Sequence, residues 1–168
     1  MGFRVADWLA DDARARWRTA PDSVWCRLSL AGTPTLVCKP HTFMNRCGQA
    51  VARLAADHEI PAARTLVVHD DVDLPFGALR LKAGGGHGGH NGLRSIVADL
   101  GDPGFLRVRL GIGRPPDGDV VAWVLGDLPS DQRDALAEVV SRAGAATRAI
   151  VDHGIAKAAN DFNARQRR

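Results

Sequence analysis

The 168-residue chain contains no tyrosine, and aromatic residues make up 5% of it. An extended platform on which single-stranded RNA could stack is therefore not favoured. Cysteines number three, Cys26, Cys38 and Cys47, an odd count with no CxxC pair. Such spacing argues against a disulfide framework or a cysteine-ligated zinc site, and for small buried hydrophobes in a reducing compartment. No apolar run approaches the ~20 residues that a bilayer-spanning helix needs. The opening stretch MGFRVADWLADDARARW has acidic residues interrupting its apolar positions, unlike a signal peptide. A cytoplasmic location without membrane contact is expected. Internal repeats, low-complexity tracts and interdomain linkers are missing as well, so residues 1–168 are expected to form a single domain.

Hydrophobic residues are 45% of the chain, enough for one core at this length. The net charge of +3 and the pI of about 9.1 permit a nucleic-acid partner without demanding one. Along the chain the hydrophobic period switches repeatedly. Val5, Trp8, Leu9 and Ala13 recur at helical spacing between Val5 and Trp17. Val24 to Leu30 alternates as a strand, and Gly32-Thr33-Pro34 turns into a second strand, Thr35 to Cys38. Thr42 fits the N-cap of a helix reaching about His58. Leu66 to Val68 reads as a short buried strand, and Ala78 to Lys82 as an alternating one. A glycine loop opens a helix over Asn91–Leu100. Leu106, Val108, Leu110 and Ile112 alternate with Arg107, Arg109 and Gly111, as in a strand buried on one face. Ser130 starts a long helix to about Val151, which His153-Gly154 terminates, and a last helix ends in Arg165, Arg167 and Arg168. The sum is an α/β domain of three layers, a mixed, twisted sheet flanked by helices.

Four constellations could carry chemistry. In Gly84-Gly85-Gly86-His87-Gly88-Gly89-His90-Asn91-Gly92, the glycines would each cost about 0.5–1 kcal/mol inside a helix or strand. A loop of this kind lets backbone approach a ligand and delivers it to a helix N-terminus that favours an anion or a carbonyl oxygen. It is not a Walker loop, having no following Lys-Ser/Thr, and its strand and helix spacing differ from the dinucleotide fingerprint. Second, His69-Asp70-Asp71-Val72-Asp73 follows a strand at the carboxyl edge where open α/β sheets place their sites. An aspartate there can orient a histidine and stabilise its imidazolium. Alternatively His69, Asp70, Asp73, His87 and His90 could ligate a metal, and Asp71 and Asp73 could simply cap a turn. Third, Asn45 sits among Phe43 and Met44, where an amide can hold a carbonyl and an amide together or serve as a local cap. Fourth, Arg80 and Lys82 alternate on one strand, and Arg107 and Arg109 on another. Such pairs can clamp a phosphate or form an ordinary solvated face.

These segments together resemble one family, the bacterial peptidyl-tRNA hydrolases. KPHTFMNRCG is similar to that family's P-x-T-F/Y-M-N-x-S-G segment, with Cys47 at the usual serine. HDDVDLPFGALRLKAGGGHGGHNGLRSI is similar to its H-D-x-x-D-L-P-x-G…K-x-G-G-G-x-G-H-N-G-L-K/R-S-I signature, and RVRLGIG to its R-x-R-x-G-I-G strand. The resemblance implies a small, monomeric α/β enzyme of the cytoplasm with no metal or other cofactor. Such an enzyme hydrolyses the ester of peptidyl-tRNA and recycles tRNA from stalled ribosomes. It further implies that Asp70 holds the catalytic histidine in its basic form. Asn45 and Asn91 bind the peptidyl and ribose-ester region, and Phe43 and Met44 line the same groove. His90 and Gly88 shape the loop wall, while Arg80, Lys82 and Arg109 grip tRNA phosphate.

Family members begin with a strand, a G-N-P-G turn and a T-R-H-N-x-G motif whose histidine is the general base. Met1-Gly2-Phe3 fits the end of H-N-x-G-F, and the preceding motifs do not occur in these 168 residues. The expectation is an N-terminally truncated domain, impaired as it stands. A non-catalytic RNA-binding relative similar to chloroplast group II intron splicing proteins is the alternative, although such a module has no reason to keep Asn45, Asp70 and Asn91. A metal-dependent hydrolase is the third reading, and it predicts inhibition by chelator.

Overall fold

The computed structural model describes residues 1–115, 123 and 130–164. In chain order these form α1 (Gly2–Asp12), β1 (Arg18–Ala20), β2 (Ser23–Leu30), β3 (Thr33–Pro40), α2 (Cys47–Asp57), β4 (Leu66–Asp71), β5 (Leu79–Ala83), α3 (Asn91–Leu100), β6 (Leu106–Gly111), α4 (Ser130–His153) and α5 (Ile155–Ala164). Short 3-10 turns occupy Met44–Arg46 and Ala62–Arg64. The fold is α/β, and the described residues form five helices and two three-stranded sheets ordered β1-β2-β3 and β4-β6-β5. Contacts divide the chain into two compact units. One comprises Met1–Leu9, Val68–Lys82 and Arg107–Arg168, and the other Ala10–Val67 and Ala83–Leu106.

In the second unit β2 pairs antiparallel with β1 and β3, with Trp25 opposite Arg18 and Cys38. The tight turn of the β2–β3 hairpin is Ala31-Gly32, at φ 47° and 80°, with Leu30 opposite Thr33. Two positive φ values match the right-handed strand twist, which is why this pair makes the turn. The Gly32-Thr33-Pro34 turn expected from sequence is therefore corrected by one residue, and Thr33 and Pro34 belong to β3. Cys26, Leu28 and Leu30 alternate as the buried side of β2. Leu93, Ile96 and Phe105 form a buried cluster with Cys47, Val51, Val67, Val97 and Leu100 packed against it. Helices α2 and α3 meet with almost no space between them. The Gly48 N–H donates to Ser95 Oγ at 2.9 Å, and a Cβ at Gly48 would lie 2.2 Å from the Ser95 carbonyl oxygen.

In the first unit, β6 runs parallel to β4 and antiparallel to β5. Hydrogen bonds from Ile112 N to Asp71 O (3.0 Å) and from Gly111 N to Ala78 O (2.7 Å) mark the two pairings. Both faces of β6 are covered, since Arg107 and Val108 are each buried, as are Leu110 and Gly111. The expected exposure of Arg107 is thereby corrected: its long stem is taken into the packed layer, so strict alternation fails. On edge strand β5, Leu81 N donates to Asn163 Oδ1 (2.9 Å) and Leu81 O accepts from Asn163 Nδ2 (3.2 Å). A side chain of α5 thus takes the place of a strand and shields the open edge. Trp8 of α1 packs its ring on Gly144 of α4, under the Arg148 guanidinium.

Candidate active site

The proposed site residues fall into both units. In the first, Asp70 stands near the end of β4, and its Oδ1 and Oδ2 lie 2.8 and 2.9 Å from the nitrogen of Met1. A Cβ at Gly2 would approach the Val68 carbonyl oxygen to 2.5 Å, so a glycine lets the start of α1 lie directly on β4. His69 is buried, with Nδ1 2.9 Å from the Asp70 carbonyl oxygen. Asp71 turns the other way. Its Oδ2 accepts from Arg109 Nε at 2.7 Å, and its Oδ1 accepts from Asp73 N at 3.0 Å. Burial alone would raise the Asp71 pKa. The hydrogen bonds from Arg109 and the Asp73 amide, with the Arg109 charge, outweigh it and hold the carboxyl below its ordinary value of 3.8. Asp73 in turn pairs with Arg114.

The basic residues do not act as one face. Arg80 is half-buried and donates from Nη1 to the carbonyl oxygens of Asn163 (3.1 Å) and Leu79 (3.4 Å). Lys82 is exposed, and Arg109 is held by Asp71. Arg107 is buried, and burial followed by the neighbouring Arg109 charge lowers its pKa. Of the four basic residues picked from sequence, Arg107 is thus removed from the surface set.

In the second unit, the segment before α2 and the start of α3 come together. Phe43 and Met44 are 80% and 51% exposed, although large apolar side chains normally seek cover, and Asn45 is also exposed. A Cβ at Gly92 would meet Met44 Sδ at 2.7 Å and His90 Cε1 at 3.0 Å, which brings the Met44 and His90 side chains onto the first turn of α3. Cys47 Sγ reaches Gly92 O at 3.5 Å, tying the same two segments together. Asn91, exposed, is the first residue of α3. His90 is its N-cap, and Nδ1 accepts from Leu93 N at 3.2 Å. His87 Nδ1 likewise accepts from Gly89 N at 3.2 Å. Gly84, Gly85, Gly88 and Gly89 take φ of 58°, 95°, 55° and 79°, which only a glycine-rich loop adopts without strain.

Thr42 does not cap a helix as expected. Its Oγ1 is buried without a partner among the described residues, Phe43 precedes a 3-10 turn instead, and α2 begins only at Cys47. Sequence reasoning overlooked Asp71 as the partner of Arg109, and the acid-after-strand pattern gave no register by which to find it. Among the described residues no group of three or more His, Cys, Asp or Glu side chains is placed to hold a metal ion. No helix among them is long and apolar enough to cross a membrane.

Comparison with known proteins adds a consistent result. The sequence model of the family described as Peptidyl-tRNA hydrolase matches residues 1–168. A peptidyl-tRNA hydrolase of Pelobacter propionicus is 46% identical over 137 residues, spanning 82% of this chain and 71% of that protein. One from Geobacter sulfurreducens is 42% identical over 163 residues, 96% of this chain and 84% of the relative. The crystal structure of peptidyl-tRNA hydrolase from Acinetobacter baumannii superposes with a TM-score of 0.89 at 34% identity, covering 96% of this chain and 84% of that one. Identity at this level over most of both lengths, with the same fold, means that the chain belongs to the peptidyl-tRNA hydrolase family.

Proposed function

We propose that this chain cleaves the ester between peptide and tRNA in peptidyl-tRNA, freeing tRNA for reuse in translation. The match to named hydrolases over most of the chain carries the reading. Ester hydrolysis needs a general base to activate water and polarised donors for the oxyanion, and little else. Asp70 orients a general-base histidine, the role that the family resemblance gives it. Asn45 and Asn91 hold the ester end through amides that both donate and accept. Phe43 and Met44 offer apolar surface to the peptide, with His90 and Gly88 walling the loop. Arg80, Lys82 and Arg109 attract tRNA phosphate. The enzyme works as a cytoplasmic monomer without metal.

The test is release of tRNA from an N-blocked aminoacyl-tRNA, assayed with the chain as given and with the family's N-terminal strand, G-N-P-G turn and T-R-H-N motif joined ahead of Met1. The joined chain is expected to cleave the ester, with and without chelator. Asp70→Ala in it is expected to lower kcat on the order of 10²-fold or more. Cleavage unaffected by Asp70→Ala would remove Asp70 from the mechanism, and no cleavage by the joined chain would remove the function.

A further inference from the structure

The turn Asp70–Asp73 holds more carboxylates than the ester chemistry uses. Asp71 is fixed at both oxygens, by Arg109 Nε at 2.7 Å and by the Asp73 amide at 3.0 Å. Its side chain is 11% exposed, against 29% for Arg109. The acid is therefore the sheltered member of the pair and the guanidinium the outward one. The bond engages Nε, which leaves the Nη edge of the planar fork for another oxyanion. A guanidinium so anchored keeps the geometry that bidentate phosphate recognition requires, with little side-chain freedom left to lose. Arg107 lies buried two residues away on the same strand, and the Arg109 charge repels it.

We infer that Asp71 is a positioning residue for tRNA binding, holding Arg109 by Nε so that its Nη edge meets a backbone phosphate. This rests on Arg109 being a phosphate-gripping residue of the proposed hydrolase. Asp71 itself does not touch the substrate. A carboxylate beside a phosphate-binding arginine could instead compete with the phosphate, and the two roles predict opposite outcomes. Competition makes removal of the acid tighten binding, whereas positioning makes it weaken binding.

The experiment measures the affinity of the full chain for deacylated tRNA across a range of salt concentrations. Arg109→Ala is expected to weaken binding and to reduce the slope of log K against log salt by about 1, the loss of one phosphate contact. Asp71→Ala should weaken binding roughly three- to tenfold, as for one ordinary hydrogen bond lost when Arg109 is no longer positioned, and reduce the slope in the same direction. Asp71→Asn, whose amide oxygen still accepts from Nε, should stay within about twofold of the unaltered chain. Arg109→Lys keeps the charge but loses the fork, and should bind as weakly as Arg109→Ala. Unchanged or tighter binding by Asp71→Ala overturns the inference. So does Asp71→Asn binding as weakly as Asp71→Ala, or Arg109→Lys binding as well as the unaltered chain. Should Asp71→Ala not fold, the asparagine and lysine variants decide alone. An Arg109→Ala chain that binds with unchanged affinity and slope instead strikes the assignment of Arg109 itself, and the inference falls with it.

Discussion

The side-chain amide of Asn163 binds both main-chain groups of Leu81, accepting from its N–H at 2.9 Å and donating to its carbonyl oxygen at 3.2 Å. Strand β5 is an edge strand, so these groups would otherwise face open pairing. An amide serves both because it carries a donor and an acceptor in one plane. Asn163→Ala should therefore destabilise the chain by about 1–3 kcal/mol, the cost of leaving partly buried polar groups unsatisfied. Asn163→Asp should cost at least as much, since a carboxylate oxygen would face the Leu81 carbonyl. Urea denaturation of the two variants checks this, and an unchanged midpoint for both would show that the amide is idle.

Helices α1 and α2 end with a non-glycine residue in the left-handed region, Arg14 at φ 51° and Glu59 at φ 53°. In each case the next residue reaches back five positions, Ala15 N to Ala10 O and Ile60 N to Ala55 O, both at 2.8 Å. This is the Schellman arrangement, in which glycine is usual because it lacks the Cβ penalty. Glu59→Gly should accordingly stabilise the chain by about 0.5–1 kcal/mol despite removing a side chain, less the entropy that glycine adds to the unfolded state. A raised melting temperature in calorimetry is the expected result, and a lowered one would mean that the Glu59 side chain contributes more than its backbone costs.

Those two helix ends also explain where sequence was and was not sufficient. Helix α3 was legible at both ends, because His90-Asn91 opens it and Gly101 closes it in the left-handed region. The end of α1 is not legible, because Arg14 carries no stop signal and helical spacing continues to Trp17, which hides the start of β1 at Arg18. Thr42 failed as a cap because the chain first makes the 3-10 turn Met44–Arg46. The burial of Arg107 is not legible because alternation reports one buried side, whereas β6 is covered on both. The glycine segment stands out because its cost is local, glycines at positive φ having no purpose in a core, whereas the exposure of Phe43 and Met44 is not legible, since apolar side chains are more often buried. The Asp71–Arg109 pair depends on the register of β4 against β6, a long-range quantity that no local pattern encodes.

His90 caps α3 through Nδ1, accepting from Leu93 N at 3.2 Å, immediately before Asn91. His90→Ala should cost about 1 kcal/mol of stability, the usual loss on removing a cap, and should loosen the turn that presents Asn91. Asn or Asp at position 90 can accept the same N–H and should restore most of the stability. Protection of the Leu93 amide in hydrogen exchange reads the cap directly. Equal protection in His90→Ala and the unaltered chain would show that the imidazole does not cap.

The depressed pKa of Asp71 fixes the sign of a stability change with pH. Burial opposes ionisation of this carboxyl, and the Arg109 and Asp73 hydrogen bonds more than reverse that effect. A group whose folded pKa lies below its unfolded value binds fewer protons when folded, so the unfolded state gains from acid. The contribution is fully present above the ordinary value of 3.8 and is lost as pH falls through the lower, folded value. Against Asp71→Asn, the unaltered chain should thus be more stable near neutrality, by on the order of 1 kcal/mol for a mostly buried charge-assisted bond. The gap should hold steady down to about pH 5 and close below about pH 4, where the unfolded carboxyl protonates. Taking the difference between the two chains cancels the other carboxylates, which titrate in both. Chemical denaturation from neutral pH down to about pH 3 measures the gap, and a difference that widened on acidification would reverse the assigned sign and break the Asp71–Arg109 pairing as its cause.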